Sequence, residues 1–263
     1  MLGSYETFKE QVLRLSNIDL NAYKERQMKR RIEALIRKND IHSYDDYIIA
    51  LRTDKDKYTE FINYITINVS EFFRNVDQWR LLEDEILPYL FENFGKRLKI
   101  WSAACSTGDE PYSLAMVLSK YIPLSNIKII ATDIDKQVLE KAKVGLYNVK
   151  SLAGLPEEFL LKYFTKINDR TYQISDNIKS CVDFSQHNLL QDVYPNNCDL
   201  IVCRNVLIYF TEETKDIIYK KFYKSLKQDG ILFVGSTEQI IQPQLIGFSP
   251  YRSFFYKKTQ VNS

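Results

Sequence analysis

Apolar residues in about the first 70 positions recur every three or four residues, the spacing of one helix face. Four such segments follow one another, the second over Tyr23–Ile36 and the third opened by the capping-type run Ser43–Asp46. The apolar residues of the first and fourth segments are Phe8, Val12, Leu15, Tyr58, Phe61, Ile62 and Ile65. The pattern predicts a small all-α domain.

The pattern changes from about residue 76, where a helix over Trp79–Leu90 leads into short apolar runs that alternate with helices. The runs that predict strands are 98–103, 127–134, 198–203 and 230–236. Helices are predicted from about Pro111 and over 211–227. This alternation indicates βαβ units and a mostly parallel sheet that binds its ligand at the carboxyl ends of the strands. The closing segment 247–258 has no helix between its two possible strands, which predicts an antiparallel strand at the end of the sheet.

Composition narrows the class of protein. The chain has 263 residues, of which 45% are hydrophobic and 27% charged, enough for one or two folded domains. Its net charge is only +2, so any basic function must be local. We expect a cytoplasmic protein, since no signal-peptide core and no run of about 18 apolar residues is present. Four cysteines without a C-x-x-C pair, and two histidines, predict buried thiols and no metal site.

The turn within Leu98–Ala115 favours one kind of ligand. A dinucleotide-binding turn carries three glycines, whereas this one has only Gly108, followed by Asp109 and Glu110. Two acids at a helix N-terminus repel phosphate, but they suit a ligand with a cationic end, such as S-adenosylmethionine. Asp133, at the end of the next strand, is positioned for ribose hydroxyls. The alternative, that these acids are simply solvated, stays open at this point.

Two further segments carry polar residues toward the same edge of the sheet. Arg204, Asn205 and Tyr209 follow the strand that ends at Cys203, although Arg204 also suits a surface cation. The segment Thr66–Asn75 crosses from the helical domain to the sheet domain. Its polar side chains are Asn68, Ser70 and Arg74, beside Phe72 and Phe73, which are predicted to be core or interface anchors. We expect this crossing to lie over the ligand cleft.

Five motifs in order resemble the chemotaxis receptor glutamate methyltransferase (CheR) family across essentially the whole chain. They are TINVSEFFRN, WSAACSTGDEPYSLA, ATDIDKQVLEKA, VDFSQHNLL and CRNVLIYF. The resemblance implies methyl transfer from S-adenosylmethionine to chemoreceptor glutamates, leaving S-adenosylhomocysteine. It implies cofactor contacts at Asn68, Ser70, Arg74, Glu110, Asp133, Asn188, Leu189, Arg204 and Asn205. Ser70 stands where many members have threonine, and Arg74 and Tyr209 are the positions nearest the transferred methyl.

The resemblance also implies how the chain is divided into domains. A helical receptor-recognition domain is expected at 1–72 and a Rossmann-like α/β methyltransferase domain at 73–263, with a small β-subdomain hairpin within 168–184. In some members this subdomain has a longer, glycine-bearing loop that holds a receptor's C-terminal pentapeptide. Here the segment is short and has no glycine. We therefore expect a monomer that binds receptors without that tether.

Methyl transfer to a carboxylate is consistent with the absence of recognisable general-base, nucleophile-elbow and metal motifs in the sequence. A glutamate carboxylate is ionised at neutral pH and attacks a sulfonium methyl directly, so no general base, nucleophile elbow or metal is required. Positioning and desolvation would then supply the catalysis. We expect Arg74 to orient the acceptor carboxylate and Tyr209 to donate a hydrogen bond. Two alternatives remain: methylation of a small carboxylic acid, and a catalytically silent module that binds the cofactor for signalling.

The segment Ala22–Asn39 holds seven Lys or Arg against two Glu. On a helical wheel Lys24, Arg31 and Lys38 form one stripe, and Arg26, Arg30 and Arg37 form another. An ordinary solvated face is one interpretation. Nucleic-acid binding is a second, disfavoured by the balanced overall charge and the lack of interleaved aromatics. The family resemblance implies the third, docking on an acidic methylation-site helix of a receptor.

Overall fold

The computed structural model describes residues 3–260, which form two compact units. The helical unit runs to Asn68 and takes in Tyr209–Asp216, and the sheet unit comprises Val69–Ile208 and the chain from Ile217 onward. The expected domain boundary at 72/73 lies four residues past this division and stays a prediction. No helix among the described residues is long and apolar enough to cross a membrane.

The helical unit contains the four predicted helices. They are α1 (Tyr5–Ser16), α2 (Glu25–Lys38), α3 (Tyr44–Thr53) and α4 (Lys55–Thr66). Side-chain oxygens of Ser4, Ser43 and Asp54 cap α1, α3 and α4. Ser43 Oγ accepts from Asp46 N, as the capping-type run predicts, whereas α2 has no side-chain cap at its N-terminus. Phe8 and Phe61 are buried at the centre of the unit.

A seven-stranded mixed sheet forms the sheet unit. Its order is β6-β2-β1-β7-β8-β10-β9, in which the first five strands are parallel and β10 runs antiparallel to both β8 and β9. The strands are β1 (Ile100–Ala103), β2 (Ile129–Asp133), β6 (Val182–Gln186), β7 (Cys198–Cys203), β8 (Leu226–Val234), β9 (Phe248–Arg252) and β10 (Phe255–Lys258). Strands β1 and β7 are buried along their whole length, because helices must cover both faces of a parallel sheet. The predicted α/β class and the antiparallel end of the sheet are confirmed.

Seven further helices follow α4. They are α5 (Val76–Leu81), α6 (Leu87–Phe94), α7 (Asp109–Leu118), α8 (Lys136–Val144), α9 (Glu157–Tyr163), α10 (Asp176–Lys179) and α11 (Glu212–Ser225). The helices predicted over Trp79–Leu90, from about Pro111 and over 211–227 correspond to α5 with α6, to α7 and to α11, whereas α8, α9 and α10 were not predicted. A π-helical turn at Leu82–Ile86 joins α5 to α6. It stands just before Pro88, which has no N–H to donate to the carbonyl four residues earlier. Helix α7 begins two residues before Pro111, because an N–H is not required in the first helical turn.

A second, three-stranded antiparallel sheet lies earlier in the chain than the expected 168–184. Its strands are β3 (Leu146–Asn148), β4 (Phe164–Asn168) and β5 (Thr171–Ile174), in the order β3-β5-β4. The hairpin turns between Asn168 and Thr171, where Asn168 Oδ1 accepts from Arg170 N. The rest of the expected segment is different in structure. It forms α10, and its last residues begin β6, which pairs in parallel with β2 of the large sheet.

Candidate functional site

The turn after β1 adopts a backbone that few residues tolerate. Ala104, Ser106 and Gly108 all have positive φ angles, of 60°, 48° and 87°. A Cβ added to Gly108 would lie 2.9 Å from Cβ of Ala142 in α8, so this position requires glycine both for its conformation and for close packing. The single glycine therefore serves the turn and the packing of α7.

Glu110 lies in the first turn of α7, largely buried. Its Oε1 accepts a hydrogen bond of 2.8 Å from Ser102 Oγ, and its Oε2 lies 3.7 Å from Arg204 Nη1. Burial raises the pKa of the Glu110 carboxyl to about 6, although Arg204 and Ser102 oppose that shift. The site thus holds a carboxylate whose ionised form gains from a further cation.

Asp133 ends β2 and is 6% exposed. Its Oδ2 accepts from Ser106 N at 2.8 Å, and its Oδ1 accepts from Asp135 N at 3.0 Å. Burial raises the pKa of this carboxyl to about 6, while the backbone N–H groups lower it. The Ile134 N–H also favours the ionised carboxyl. A carboxylate has about four acceptor positions, so these bonds still leave capacity for a hydroxyl donor such as that of a ribose.

Asp109 adds a third carboxyl beside the same turn, and sequence reasoning assigned it no contact. It is 1% exposed, and its Oδ1 is buried without a hydrogen-bond partner. Burial raises the pKa of Asp109, opposed by the hydroxyls of Thr107 and Ser70. An orphaned carboxylate oxygen close to Glu110 suits a cationic ligand, which is the chemistry of the ammonium and sulfonium groups of S-adenosylmethionine.

Arg204, directly after β7, connects Glu110 to the segment that carries Arg74. It is 7% exposed, and its guanidinium carbon lies 4.7 Å from the ring centroid of Phe233. Three oxygens lie within hydrogen-bond distance of its Nη2: Arg74 O at 2.7 Å, Gln78 Oε1 at 2.8 Å and Asn75 Oδ1 at 3.1 Å. The interpretation of Arg204 as a surface cation is therefore wrong, because this guanidinium is buried.

Arg74 itself is partly buried, and its Nη1 donates to Val69 O at 3.2 Å. The residues on either side, Phe73 and Asn75, have φ angles of 52° and 63°. Arg204 holds the Arg74 carbonyl, and Trp79 Nε1 donates to the same oxygen at 3.0 Å. The backbone at Arg74 is thus held firmly, which leaves its side chain to be placed by a ligand.

The loop after β6 carries Asn188 and Leu189. Asn188 N donates to Asp192 Oδ2 at 2.7 Å, and Asn188 Oδ1 accepts from Leu190 N at 2.9 Å. The Leu189 carbonyl accepts from Tyr194 Oη at 2.7 Å and from Lys221 Nζ at 3.1 Å. A carbonyl oxygen has two lone pairs, so this one has no capacity left for a ligand. Any contact of Leu189 with a cofactor must use its N–H or its side chain.

The helical unit holds a cleft with a volume of about 490 Å³. Its lining is Lys24, Arg26, Gln27, Met28, Arg30, Arg31, Ile67 and Tyr209. Tyr209 reaches this cleft because its carbonyl accepts from Lys24 N at 2.9 Å, and the next residue, Phe210, forms a β-bridge with Tyr23. The structure thus brings Tyr209 together with four of the six predicted recognition cations.

The remaining recognition residues lie elsewhere on α2. Arg37 and Lys38 do not line the cleft, and Lys38 Nζ pairs with Glu60 Oε1 of α4 at 2.6 Å. Arg31 lines the cleft but also donates to Tyr64 O at 2.6 Å, with its guanidinium carbon 4.5 Å from the Tyr64 ring centroid. Asn68 also lies in this unit, where its Nδ2 donates to Thr66 Oγ1 at 2.9 Å.

The candidate residues therefore fall into two groups. The sheet unit carries Ser70, Arg74, Glu110, Asp133, Asn188, Leu189, Arg204 and Asn205, and the helical unit carries Asn68, Tyr209 and the cleft-lining cations. The four cysteines are buried free thiols, as predicted. Over residues 3–260, no group of three or more His, Cys, Asp or Glu is placed to hold a metal ion.

Comparison with known proteins agrees with this two-part organisation. The family profile of the CheR methyltransferase all-alpha domain matches residues 3–66, and that of the CheR methyltransferase SAM binding domain matches residues 68–254. The chemotaxis protein methyltransferase of Listeria monocytogenes is 43% identical over 255 residues, 97% of each chain. Those of Borreliella burgdorferi and Escherichia coli are each 34% identical, over 85% of this chain and 83% and 79% of theirs. The chain belongs to the CheR methyltransferase family, and its cofactor is S-adenosylmethionine.

Proposed function

We propose that this enzyme is a protein-glutamate O-methyltransferase of chemotaxis. It transfers the methyl group of S-adenosylmethionine to glutamate side chains in the cytoplasmic helices of chemoreceptors, giving glutamyl methyl esters and S-adenosylhomocysteine. The observation that carries this proposal is the match to chemotaxis protein methyltransferases over 97% of the chain. The receptor substrate places the enzyme in the cytoplasm.

The sheet unit offers the groups that this cofactor requires. Glu110 and Asp109 supply negative charge for its ammonium and sulfonium, and Asp133 keeps acceptor capacity for its ribose hydroxyls. The further proposed contacts of this unit are Ser70, Asn188, Leu189, Arg204 and Asn205, and Asn68 stays a proposed cofactor contact as well. When bound, S-adenosylmethionine supplies an electrophilic methyl group on a positively charged sulfur.

The transfer itself asks little of the protein beyond orientation and exclusion of water. An oxygen of the acceptor carboxylate forms a bond to the methyl carbon while the carbon–sulfur bond breaks and its electron pair stays on sulfur. No proton moves, which is consistent with a site whose proposed catalytic residues are Arg74 and Tyr209 rather than a general base. Arg74 orients the acceptor carboxylate by a charge-assisted hydrogen bond, and the Tyr209 hydroxyl donates a second. Attack of an anion on a cation disperses charge, so a dry site favours the transition state.

Chemistry of the product gives the direct test of this function. Purified enzyme is incubated with methyl-labelled S-adenosylmethionine and receptor-containing membranes, and the labelled protein is then treated with alkali. We expect volatile label, because glutamyl methyl esters release methanol in base whereas N-methyl groups do not. Stable label would contradict carboxyl methylation. Absence of label, in an enzyme that binds the cofactor by calorimetry, would favour the silent signalling module.

The basic cleft is the proposed docking site for the receptor. Among residues 3–260, none of the four cations Lys24, Arg26, Arg30 and Arg31 has a carboxylate within 4.0 Å, whereas Lys38 has Glu60. The N-terminus of the 14-residue helix α2 adds partial positive charge at Lys24 and Glu25. A surface with this charge balance stabilises an acidic helix, and the lining of Met28 and Ile67 suits its apolar side chains.

Charge reversal on α2 tests this docking. We expect Arg30→Glu to raise KM for receptor about tenfold or more at low salt, because it sets like charges against each other. KM for S-adenosylmethionine should stay unchanged. Arg37→Glu is the matched control: it makes the same charge change at another exposed residue of α2, but Arg37 does not line the cleft. Equal effects of both variants would show that only overall charge matters and would contradict a specific cleft.

Two further properties stay proposals. We expect receptor binding that does not depend on a C-terminal pentapeptide, since the β4–β5 hairpin turns within the short stretch between Asn168 and Thr171. We also expect a monomer.

A further inference from the structure

Glu238, in the segment after β8, is a buried carboxylate that the sequence motifs do not single out. It is 4% exposed. Its Oε2 accepts from Asn205 N at 2.6 Å and from Gly235 N at 2.8 Å, and its Oε1 accepts from Leu207 N at 2.6 Å. Burial raises the pKa of this carboxyl, and these backbone N–H groups oppose the shift. Three short backbone bonds to one buried carboxylate are stronger than bonds between neutral groups.

The segment that Glu238 holds is the one that carries Arg204 and Asn205. The chain leaves β7 at Cys203, and Asn205 then takes a left-handed backbone with φ of 61°. Such a conformation costs free energy and persists only where the surroundings enforce it. The bonds from Asn205 N and Leu207 N to Glu238 lie on either side of this reversal and supply that enforcement.

The neighbouring residues are shaped around the Glu238 side chain. A Cβ added to Gly235 would lie 2.5 Å from Glu238 Oε2 and 2.8 Å from Asn205 N, so glycine is required for the carboxylate to reach the loop. Tyr219 Oη of α11 donates to the Glu238 carbonyl at 3.3 Å and holds its backbone. Glu238, Gly235 and the loop after β7 therefore pack together and link the carboxyl ends of β7 and β8.

We propose that Glu238 is a positioning residue for S-adenosylmethionine, which holds the 204–207 loop in the conformation that presents Arg204 and Asn205 to the cofactor. It touches neither cofactor nor acceptor and acts through the loop. The proposal rests on the assignment of Arg204 and Asn205 to the cofactor. It does not require that the acceptor be a receptor glutamate.

The test compares cofactor affinity with stability in the full chain. Glu238→Gln replaces one acceptor oxygen by an NH₂ group, which cannot accept from a backbone N–H. We expect its Kd for S-adenosylmethionine, measured by calorimetry, to rise about 10- to 100-fold, with the KM for receptor unchanged. Gly235→Ala is the second variant and should weaken cofactor binding similarly, because its methyl group displaces the carboxylate without altering charge. Glu92→Gln, at an exposed glutamate of the same unit, is the control and should leave Kd unchanged.

Several results would overturn the proposal. A folded Glu238→Gln enzyme with wild-type Kd would do so, and so would a lowered melting temperature without a change in Kd, since that is a purely structural role. If Glu238→Gln does not fold, a wild-type Kd in Gly235→Ala overturns it. The binding measurement uses no receptor, so failure of glutamate methylation in the wild-type enzyme is a separate result.

Discussion

Replacing Arg204 by methionine is expected to lower the melting temperature by roughly 10 °C and to leave less than about 1% of methyl-transfer activity. Methionine keeps much of the side-chain volume but removes the charge. Glu110 then loses the cation that lies 3.7 Å away, and the oxygens of Arg74, Asn75 and Gln78 lose a shared donor. Breaking one partner of a buried ion pair costs about 3–5 kcal/mol because the remaining charge is left uncompensated.

The loss of activity follows from the same contacts. Arg204 connects the end of β7 to the Arg74–Gln78 segment, so its removal releases the backbone on which Arg74 is placed. The melting temperature is measured by calorimetry, and activity by transfer of labelled methyl groups at a temperature where the variant is folded. Arg80→Met is the matched control, because Arg80 is exposed and forms an ion pair with the exposed Asp77 three residues earlier on the same helix. An Arg204→Met enzyme with unchanged melting temperature would show that the buried pair contributes nothing to stability.

The large sheet and its active edge were predictable because they depend on local pattern. Apolar runs separated by helices predict parallel strands, and the geometry of parallel sheets then places Glu110, Asp133 and Arg204 at one edge. The acids after Gly108 also predicted a ligand with a cationic end. These inferences need no knowledge of which side chains meet.

The contacts that complete the site were not predictable in this way. Gln78 binds Arg204 across 126 positions of the chain, and Glu238 binds Asn205 across 33. Lys221 of α11 binds Leu190 O of the loop after β6 across 31. No spacing rule connects such pairs, since they form only when strands and helices pack together. The small β-subdomain was expected from the family resemblance, but its third strand was not: β3 precedes α9 in the chain and pairs with β5, which follows it.

A helical wheel of α2 had a similar limit. It groups Lys24, Arg31 and Lys38 in one stripe, but contacts with α4 distinguish Arg31 and Lys38. Lys38 is paired with Glu60, and Arg31 stacks on Tyr64. The cleft depends as much on Ile67 and Tyr209, which lie far from α2 in sequence.

Two buried carboxyls give the apoenzyme an unusual dependence of stability on pH. The folded-state pKa values of Glu110 and Asp133 are both about 6, whereas unfolded carboxyls titrate near 4. Between about pH 4 and 6 the folded chain therefore binds more protons than the unfolded chain. By linkage, these two groups make the free energy of unfolding fall as pH rises through this window, by roughly 2 kcal/mol for Glu110 and roughly 3 kcal/mol for Asp133. Protonation stabilises this site, and ionisation at neutral pH strains it.

A bound cation stabilises the ionised form of these carboxyls, whereas the apoenzyme favours the protonated form. Affinity for S-adenosylmethionine is therefore expected to rise with pH up to about 6 and to level off by pH 7. Glu110 faces Arg204 and Ser102, with Glu238 nearby, and Asp133 faces Asp135 and the N–H of Ser106. Neither carboxyl is fully neutralised by these groups, which leaves each ready to gain from the cofactor. Below its pKa, each carboxyl that must ionise for binding weakens the affinity about tenfold per pH unit.

Glu110→Gln provides the decisive comparison. At pH 7 the variant loses a charge-assisted contact worth about 1.5–3 kcal/mol, so Kd for S-adenosylmethionine should rise by about 10- to 100-fold. Its Kd should also depend less steeply on pH between 5.0 and 6.0 than that of the wild type, because one of the titrating groups is gone. Calorimetric titrations across this range measure both effects, with Glu92→Gln as the control that keeps the wild-type profile. If Glu110→Gln retained the full wild-type slope, the proton released on binding would have to come from Asp133 or Asp109 instead, and Glu110 would not be the group that receives the cofactor's charge.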